Sequence, residues 1–505
     1  MQVSDAADPT AYDDLPEQMR VRREKLDRLR MQGRDPFPLG FPRTTTIAEL
    51  RAAHPDLGPD EKTGERVGIV GRFELSRIGG KLCFATLQEG DEHLQVMISL
   101  NGVGEDRLAA WKSDVDLGDH VGVEGEVVTS RRGELSVLAD RWAMTSKALR
   151  PLPDKHKGLS DPETRVRLRY VDLAVNAESR AMVRAKGALL RSLRETFDRQ
   201  GYLEVETPLL QPLHGGATAR PFVTHLNAFD MPLYLRIATE LYLKRLVVGG
   251  IERVYEIGRV FRNEGIDSTH SPEFTEIEAY AAYGDQSSIA ELTRDLVVDA
   301  ARALDSTVVP DDRGGETDLT APWRWLPIHQ AVAEAVGEDV TTETPTELLR
   351  KIAGRHDVAL QPGWDGGEIV LELYEKLVEH TLVAPTFVCD YPESVRPLAR
   401  AHRSKPGLVE AWDLVIGGVE IGVGYSELVD PVEQRARLVE QSVKAADGDP
   451  EAMALDEDFL RALEFGAPPM GGMGMGVDRL LRLLTGAPSV RDTIAFPLLK
   501  PEGGR

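Results

Sequence analysis

The chain of 505 residues has only two cysteines, Cys83 and Cys389. That scarcity excludes a disulfide framework and a multi-cysteine zinc site and fits a reducing compartment, while a single bridge between the two stays open. Long apolar runs are also missing. Hydrophobic residues make up 42% of the chain but are scattered, and no stretch approaches the roughly 20 that cross a bilayer. The opening residues MQVSDAADPTAYDD lack the apolar segment of a secretory signal. These absences make the cytoplasm the expected location, with no membrane partner. Positive charge is in deficit as well: 60 Lys and Arg face 83 Asp and Glu, a net charge of −23. Such a field repels polyanions, so any contact with one must be local. One local basic surface exists, because Arg20, Arg22, Arg23, Lys25, Arg28, Arg30 and Arg34 crowd a helical pattern with Leu26 and Leu29 as its thin apolar stripe. A solvated face and a grip on a polyanion are both open readings of it.

The length exceeds what one core serves and implies two or three domains. Residues 1–60 read as a helical extension. Within 61–150, five strand-like runs (VGIVGRFEL, KLCFATLQ, LQVMISL, DHVGVEGEVV and GELSVLADRW) are separated by turn signals, and LAAWKSDV reads as a helix before the fourth. That order fits a five-stranded OB β-barrel. The proline-bearing segment 151–165 reads as a linker, leaving 166–505 as a larger α+β domain. There, VRAKGALLRSLRETFDRQ repeats Leu189, Leu190, Leu193 and Phe197 at helical spacing before Gly201. YLEVETPLLQP then turns to strand, helices dominate from 285 to 385, PDDRGGETDLT reads as a surface loop, and strands resume near Leu414.

The most informative stretch is RVFRNEGIDSTHSPEFTEIEAY, 259–280. Arg253 to Ile257 lead in as strand, 263–272 is rich in breakers, and Phe274 to Tyr280 alternate again, so two strands joined by a polar loop are predicted. Side chains repeat every two residues along a strand, which places Phe274, Glu276, Glu278 and Tyr280 on one face. Arginine, glutamate, histidine and aromatics gathered in this polar turn suit a nucleotide and a phosphate better than a core.

Three separated segments resemble the motifs of class II lysyl-tRNA synthetases of the bacterial type, with an N-terminal anticodon-binding OB domain. GYLEVETPLLQ falls in motif 1 (about 201–221), RVFRNEGIDSTHSPEF in motif 2 (about 253–280) and GGMGMGVDRLLRLLTG in motif 3 (about 468–486). The resemblance implies an antiparallel catalytic sheet flanked by helices, a homodimer built through motif 1, and ATP, L-lysine, tRNA(Lys) and Mg2+ as partners. It implies that Arg262 holds the α-phosphate and the lysine carboxylate and that Arg479 holds the terminal phosphate, a task suited to guanidinium forks. Glu264 and Phe274 would receive adenine, and His270 the β- and γ-phosphates. Gly216, Glu240 and Glu278 would take the α-ammonium of lysine, Tyr425 would border the side-chain tunnel, and Glu427 with Tyr280 would take the ε-ammonium. Asp413 and Glu420 match the metal carboxylates, and glycines 472, 474 and 476 would let substrate approach closely. In the barrel, Arg77, Phe84, Gln95 and Glu134 match the anticodon readers, where an aromatic stacks on an unpaired base.

Two rival readings share these residues: a synthetase paralogue that binds tRNA or lysine without charging, and a ligase that passes lysine to another acceptor. Three positions depart from the usual pattern of the resemblance: Thr239 stands for proline, Val423 for asparagine or threonine, and Met470 for threonine. Val423 cannot hydrogen-bond beside the substrate carboxylate, a loss of about 1 kcal/mol that raises the KM for lysine. Val423→Asn is therefore expected to lower the lysine KM severalfold in pyrophosphate exchange, and an unchanged KM and kcat would refute this role.

Overall fold

In a computed structural model, residues 15–153, 159–310, 315–446 and 453–501 are described. The chain forms two compact units, one of 1–165 with 170–177 and one of 166–169 with 178–505.

The first unit is a closed barrel of strands β1 (Lys62–Ile78), β2 (Leu82–Glu89), β3 (Glu92–Ser99), β4 (His120–Thr129) and β5 (Leu135–Ser146), in the order β1-β2-β3-β5-β4 with β1 also paired to β4. Alternation along the strands sends Cys83, Ala85, Leu87, Leu94, Val96 and Ile98 inward. The expected inserted helix is present as Glu105–Asp114, and its Trp111 closes the core between Phe73 and Trp142 in edge-to-face contacts of 5.4 and 5.1 Å. The basic helix (Glu17–Met31) turns its charge against this unit. Arg28 and Arg34 bind Asp114 at 2.8 and 2.6 Å, Lys25 binds Asp116 at 2.6 Å, and buried Arg22 donates to the carbonyls of Leu117 and Ala148. Arg22, Lys25 and Arg28 of the helix, and Arg34 just beyond it, are thus engaged by the barrel's acidic loop and carbonyls, which neither sequence reading anticipated.

The second unit is built on an eight-stranded sheet. Its strands are β6 (Leu203–Glu204), β7 (Arg253–Phe261), β8 (Glu273–Ala282), β9 (Arg324–Pro327), β10 (Thr386–Cys389), β11 (Ala411–Ile416), β12 (Val419–Ser426) and β13 (Met470–Gly476), in the order β9-β10-β11-β12-β13-β8-β7-β6. The centre is antiparallel, as expected, but both edge pairs, β9 with β10 and β6 with β7, are parallel, so the sheet is mixed. Helix Ala177–Arg199 lays Leu189, Leu193 and Phe197 on the sheet, with Phe197 stacked on Tyr255 at 3.9 Å. Helix Gln286–Ala303 starts from an Asp285 capping box and adds Ile289, Leu292 and Leu296 to the same core. The predicted loop at 310–320 instead holds Glu316–Asp318, which pairs with Val308–Pro310, because β-branched Val308, Val309 and Thr317 fit a short ribbon; its tip lies outside the described residues. Strands also resume earlier than Leu414, at β9 and then at β10, and the four residues of β10 are all buried and carry no alternation to signal them. Both cysteines are buried and free. Among the described residues, no helix is long and apolar enough to cross a membrane.

Candidate active site

β7 and β8 pair antiparallel from Arg253↔Ala281 to Phe261↔Glu273, leaving a polar loop at their tip. β13 pairs with β8 on one side and β12 on the other. The alternation of β8 therefore points Phe274, Glu276, Glu278 and Tyr280 into a cavity of about 360 Å³, whose walls also carry Gly216, Glu240, Arg262, Glu264, His270, Glu420, Tyr425 and Arg479. Nearly all the residues expected to bind ATP and lysine thus share one chamber.

At one end Arg262 lies over the Phe274 ring, its guanidinium carbon 5.2 Å from the centroid, and 3.7 Å from Glu276. Arg479 donates to the Glu420 carbonyl at 3.0 Å and carboxylate at 3.3 Å and approaches His270 at 3.3 Å. Asp267 braces the His270 ring at 2.9 Å. Two cations, an exposed loop and an aromatic face make this the anionic-ligand end.

The other end is acidic. Glu278 accepts the Thr239 backbone N–H at 2.7 Å and the Tyr280 hydroxyl at 3.0 Å. Burial, then the negative charges of Glu276 and Glu240, push Glu278 well above the ordinary carboxylate range. Burial also pushes Glu427 up to about 8, against the pull of a neighbouring ammonium. That ammonium belongs to Lys244, which lies 2.5 Å from Glu240 and 2.5 Å from Glu427. Although burial alone would lower it, the two carboxylates hold the Lys244 pKa above its usual value. Neither Glu427 oxygen has a hydrogen-bond partner of good geometry among the described residues, although Oε2 forms the close ion pair with Lys244. Of Gly472, Gly474 and Gly476, Gly472 is the one the substrate chamber requires: a Cβ there would stand 2.1 Å from Glu427 Oε1 and 2.3 Å from the Tyr280 ring. At Gly474 and Gly476 the nearest atoms to a Cβ are 3.6 Å away, an ordinary contact.

The metal pair divides. Glu420 lines the cavity, whereas Asp413 does not. Asp413 Oδ2 accepts from Tyr391 at 2.7 Å and Arg396 at 2.6 Å, and its Oδ1 has no partner. Burial raises Asp413 to about 6, with Arg396 opposing. Among the described residues no group of three or more His, Cys, Asp or Glu could hold a metal by itself. One carboxylate facing the cavity with a second behind it still fits magnesium, which takes one or two protein carboxylates and completes its shell with phosphate oxygens and water. Sequence reasoning missed Lys244, Arg396 and Glu379. Glu379 is held up to about 7 by burial and then by Glu420 and Asp413, and none of the three sits in a recognisable motif.

On the barrel, Arg77 pairs with Phe84 and Phe84 with Met97, so Arg77, Phe84, Gln95 and Met97 share the outer face of β1–β3. Phe84 is only half-buried and stands outside the core. Gln95 donates to Ser136 at 2.8 Å, and Glu134 is exposed before β5.

A family model described as class II tRNA synthetases (D, K and N) matches residues 161–500, and one for an OB-fold nucleic acid binding domain matches 67–144. The chain is 57% identical to a lysine–tRNA ligase of Kineococcus radiotolerans over 97% of its length and 98% of that protein. It is 55% identical to a lysine–tRNA ligase of Mycolicibacterium gilvum over 97% of its length and 99% of the relative. It is also 50% identical to the lysylphosphatidylglycerol biosynthesis bifunctional protein LysX of Mycobacterium marinum, over 99% of this chain but 45% of that one.

The acidic end carries a pH signature. With the Glu427 carboxyl raised to about 8 in the free site, an arriving ammonium must displace its proton below that pH. The lysine KM should fall as pH rises from ~6 to ~8, by up to about tenfold per unit for one proton. A lysine KM flat across that range in pyrophosphate exchange would contradict the protonated free site.

Proposed function

The chain belongs to the class II tRNA synthetases and is a lysine–tRNA ligase, and from that premise we propose how its residues divide the work. Glu427 Oε1, which lacks a hydrogen-bond partner among the described residues and stands beside Gly472 and Tyr280 at the end of the cavity away from Arg262 and Arg479, carries the reading. Burying such an oxygen costs roughly 1 to 3 kcal/mol, and a substrate ammonium recovers it. Lysine lies with its ε-ammonium on Glu427 and Tyr280 and its side chain along Tyr425. Its α-ammonium meets Glu240, Glu278 and the carbonyl of Gly216. Arg262 draws the carboxylate to the α-phosphorus of ATP, with adenine against Phe274 and Glu264 and the outer phosphates toward His270 and Arg479.

Attack by the carboxylate oxygen on the α-phosphorus forms the lysyl-adenylate and breaks the bond to pyrophosphate. A terminal ribose hydroxyl of tRNA(Lys) then attacks the lysyl carbonyl, and AMP departs with the bond's electrons. Holding the two anions in line, and neutralising them as charge moves, is the catalytic contribution of Arg262 and Arg479. Magnesium, when bound through Glu420 with Asp413 behind it, neutralises phosphate charge. Arg77, Phe84, Gln95 and Glu134 present stacking and polar groups to the single-stranded anticodon.

The active unit is a homodimer. Leu209, Leu210, Leu213, Val223 and Phe229 cluster in the motif 1 segment and the short strands that follow it, with Val223 66% and Phe229 76% exposed. A second copy of the same arm suits this apolar surface. Leu210→Glu combined with Val223→Glu should yield monomers in sedimentation with little activity, and an intact dimer would refute this interface.

Pyrophosphate exchange with each standard amino acid and ornithine tests the chemistry. Strong exchange with lysine, weaker with ornithine, and charging of tRNA(Lys) are expected; one methylene separates the two amino acids by only about 1 to 3 kcal/mol. Removing the barrel should abolish charging and spare adenylate formation. Exchange without charging by the full chain would point instead to another lysine acceptor.

A further inference from the structure

Helix Glu240–Val248 carries Lys244 one turn beyond Glu240, so both side chains leave the same face. Lys244 is 1% exposed at its side chain, and its ammonium lies between Glu240 and Glu427, whose side chains are 6% and 0% exposed. The same ammonium is 5.8 Å from the centre of the Tyr280 ring. The two oxygens of Glu427 thus have different surroundings. Oε2 faces Lys244, while Oε1 is turned toward the space that Gly472 keeps open by lacking a Cβ. The Glu427 backbone N–H is fixed to the Met470 carbonyl at 2.9 Å, so the side chain starts from a held backbone.

Three neighbouring carboxylates have guanidinium partners of their own: Glu276 has Arg262, Glu420 has Arg479, and Asp413, behind the cavity wall, has Arg396, while Asp478 pairs with Lys186. Glu240, Glu278 and Glu427 have none, and Lys244 is the cation beside them. Tyr280 and Tyr425 complete the polar groups near Glu427 and are neutral, since burial raises both phenols. Removing Lys244 would leave Glu427 fully buried against Glu240, with only neutral neighbours to oppose its protonation.

We propose that Lys244 is a positioning residue for lysine recognition: its ammonium holds Glu427 by one oxygen and opposes its protonation, so that the other oxygen accepts the substrate's ε-ammonium. The proposal rests on the reading of Glu427 as the ε-ammonium acceptor. Lys244 touches neither ATP nor the reacting carboxylate in this arrangement, so its loss acts on lysine affinity through Glu427. Without it a proton competes better for Glu427, and lysine must displace that proton from a more basic carboxyl. The penalty is therefore large where Glu427 is protonated and vanishes at alkaline pH, where an internal cation no longer helps.

The test is the pH profile of lysine-dependent pyrophosphate exchange for Lys244→Met, with Lys244→Gln as the more soluble alternative should the first fail to fold. Melting curves and the KM for ATP report whether each variant is intact. At neutral pH the lysine KM should rise about tenfold or more, corresponding to an alkaline displacement of at least one pH unit, while kcat and the ATP KM change by less than about threefold. Toward pH ~9 the variant and parent KM values should converge. A loss of equal size at every pH, or one shared by kcat and the ATP KM, would show a structural role and overturn the proposal. Glu427→Gln separates this failure from failure of the underlying reading. If Glu427→Gln destroys lysine use while the Lys244 profiles are not displaced, the pocket stands and the proposal falls. If Glu427→Gln leaves the lysine KM unchanged, both fall.

Discussion

Carboxylates buried beside one another repel and lose hydration, so a site made of them exists only where a stiff scaffold holds cations and donors against them. Three central strands impose that arrangement. β8 spaces Glu276, Glu278 and Tyr280 on one face, while β13, reduced to glycine at Gly472, leaves room between Tyr280 and Glu427. Glu276 Oε2, Asp413 Oδ1 and Glu427 Oε1 remain without partners among the described residues. Each unpaired buried oxygen is a cost to the folded protein that the stiff scaffold must carry.

The same logic explains how so acidic a protein handles a polyanion. Arginine is not spread over its surface in excess; the N-terminal helix directs Arg22, Lys25 and Arg28 into its own barrel, where Asp114 and Asp116 meet two of them. The outer face of β1–β3 presents Phe84 with Arg77 and Gln95 beside it, and if the anticodon docks there as proposed, selectivity would come from stacking and base edges with little help from bulk charge.

What could be read in the sequence follows from periodicity. The barrel strands, the hairpin of β7 and β8 and the shared face of Phe274, Glu276, Glu278 and Tyr280 are consequences of a two-residue repeat that any short window displays. The parallel edge strands were not legible: β10 is apolar throughout and β6 has two residues, so neither carries a pattern. Lys244 was hidden for a different reason. In ELYLKRLVV it looks like an ordinary helical charge, and only the folding of a distant strand end brings Glu427 to it. The displacement of Asp413 from the cavity wall is hidden likewise, since Arg396 and Tyr391 approach it from other segments.

The three departures from the usual pattern have unequal consequences. Met470 is 2% exposed and packs with Tyr280, Leu243, Val247 and Val254, so it fills core under the lysine end and offers the substrate nothing a hydroxyl would. Val423 lines the cavity and removes a polar group from it. Thr239 does the reverse. A proline has no backbone N–H, whereas the N–H of Thr239 donates to Glu278 at 2.7 Å. A hydrogen bond is worth about 0.5 to 1.5 kcal/mol net, and this one opposes the burial that drives Glu278, the carboxyl proposed to receive the α-ammonium, toward its neutral form. On the proposed placement of lysine, Val423 and Thr239 would act on opposite ends of its head group, one weakening the hold on its carboxylate and the other strengthening the hold on its amine. Their opposed signs would reduce the net cost of the Val423 departure to lysine binding in this chain.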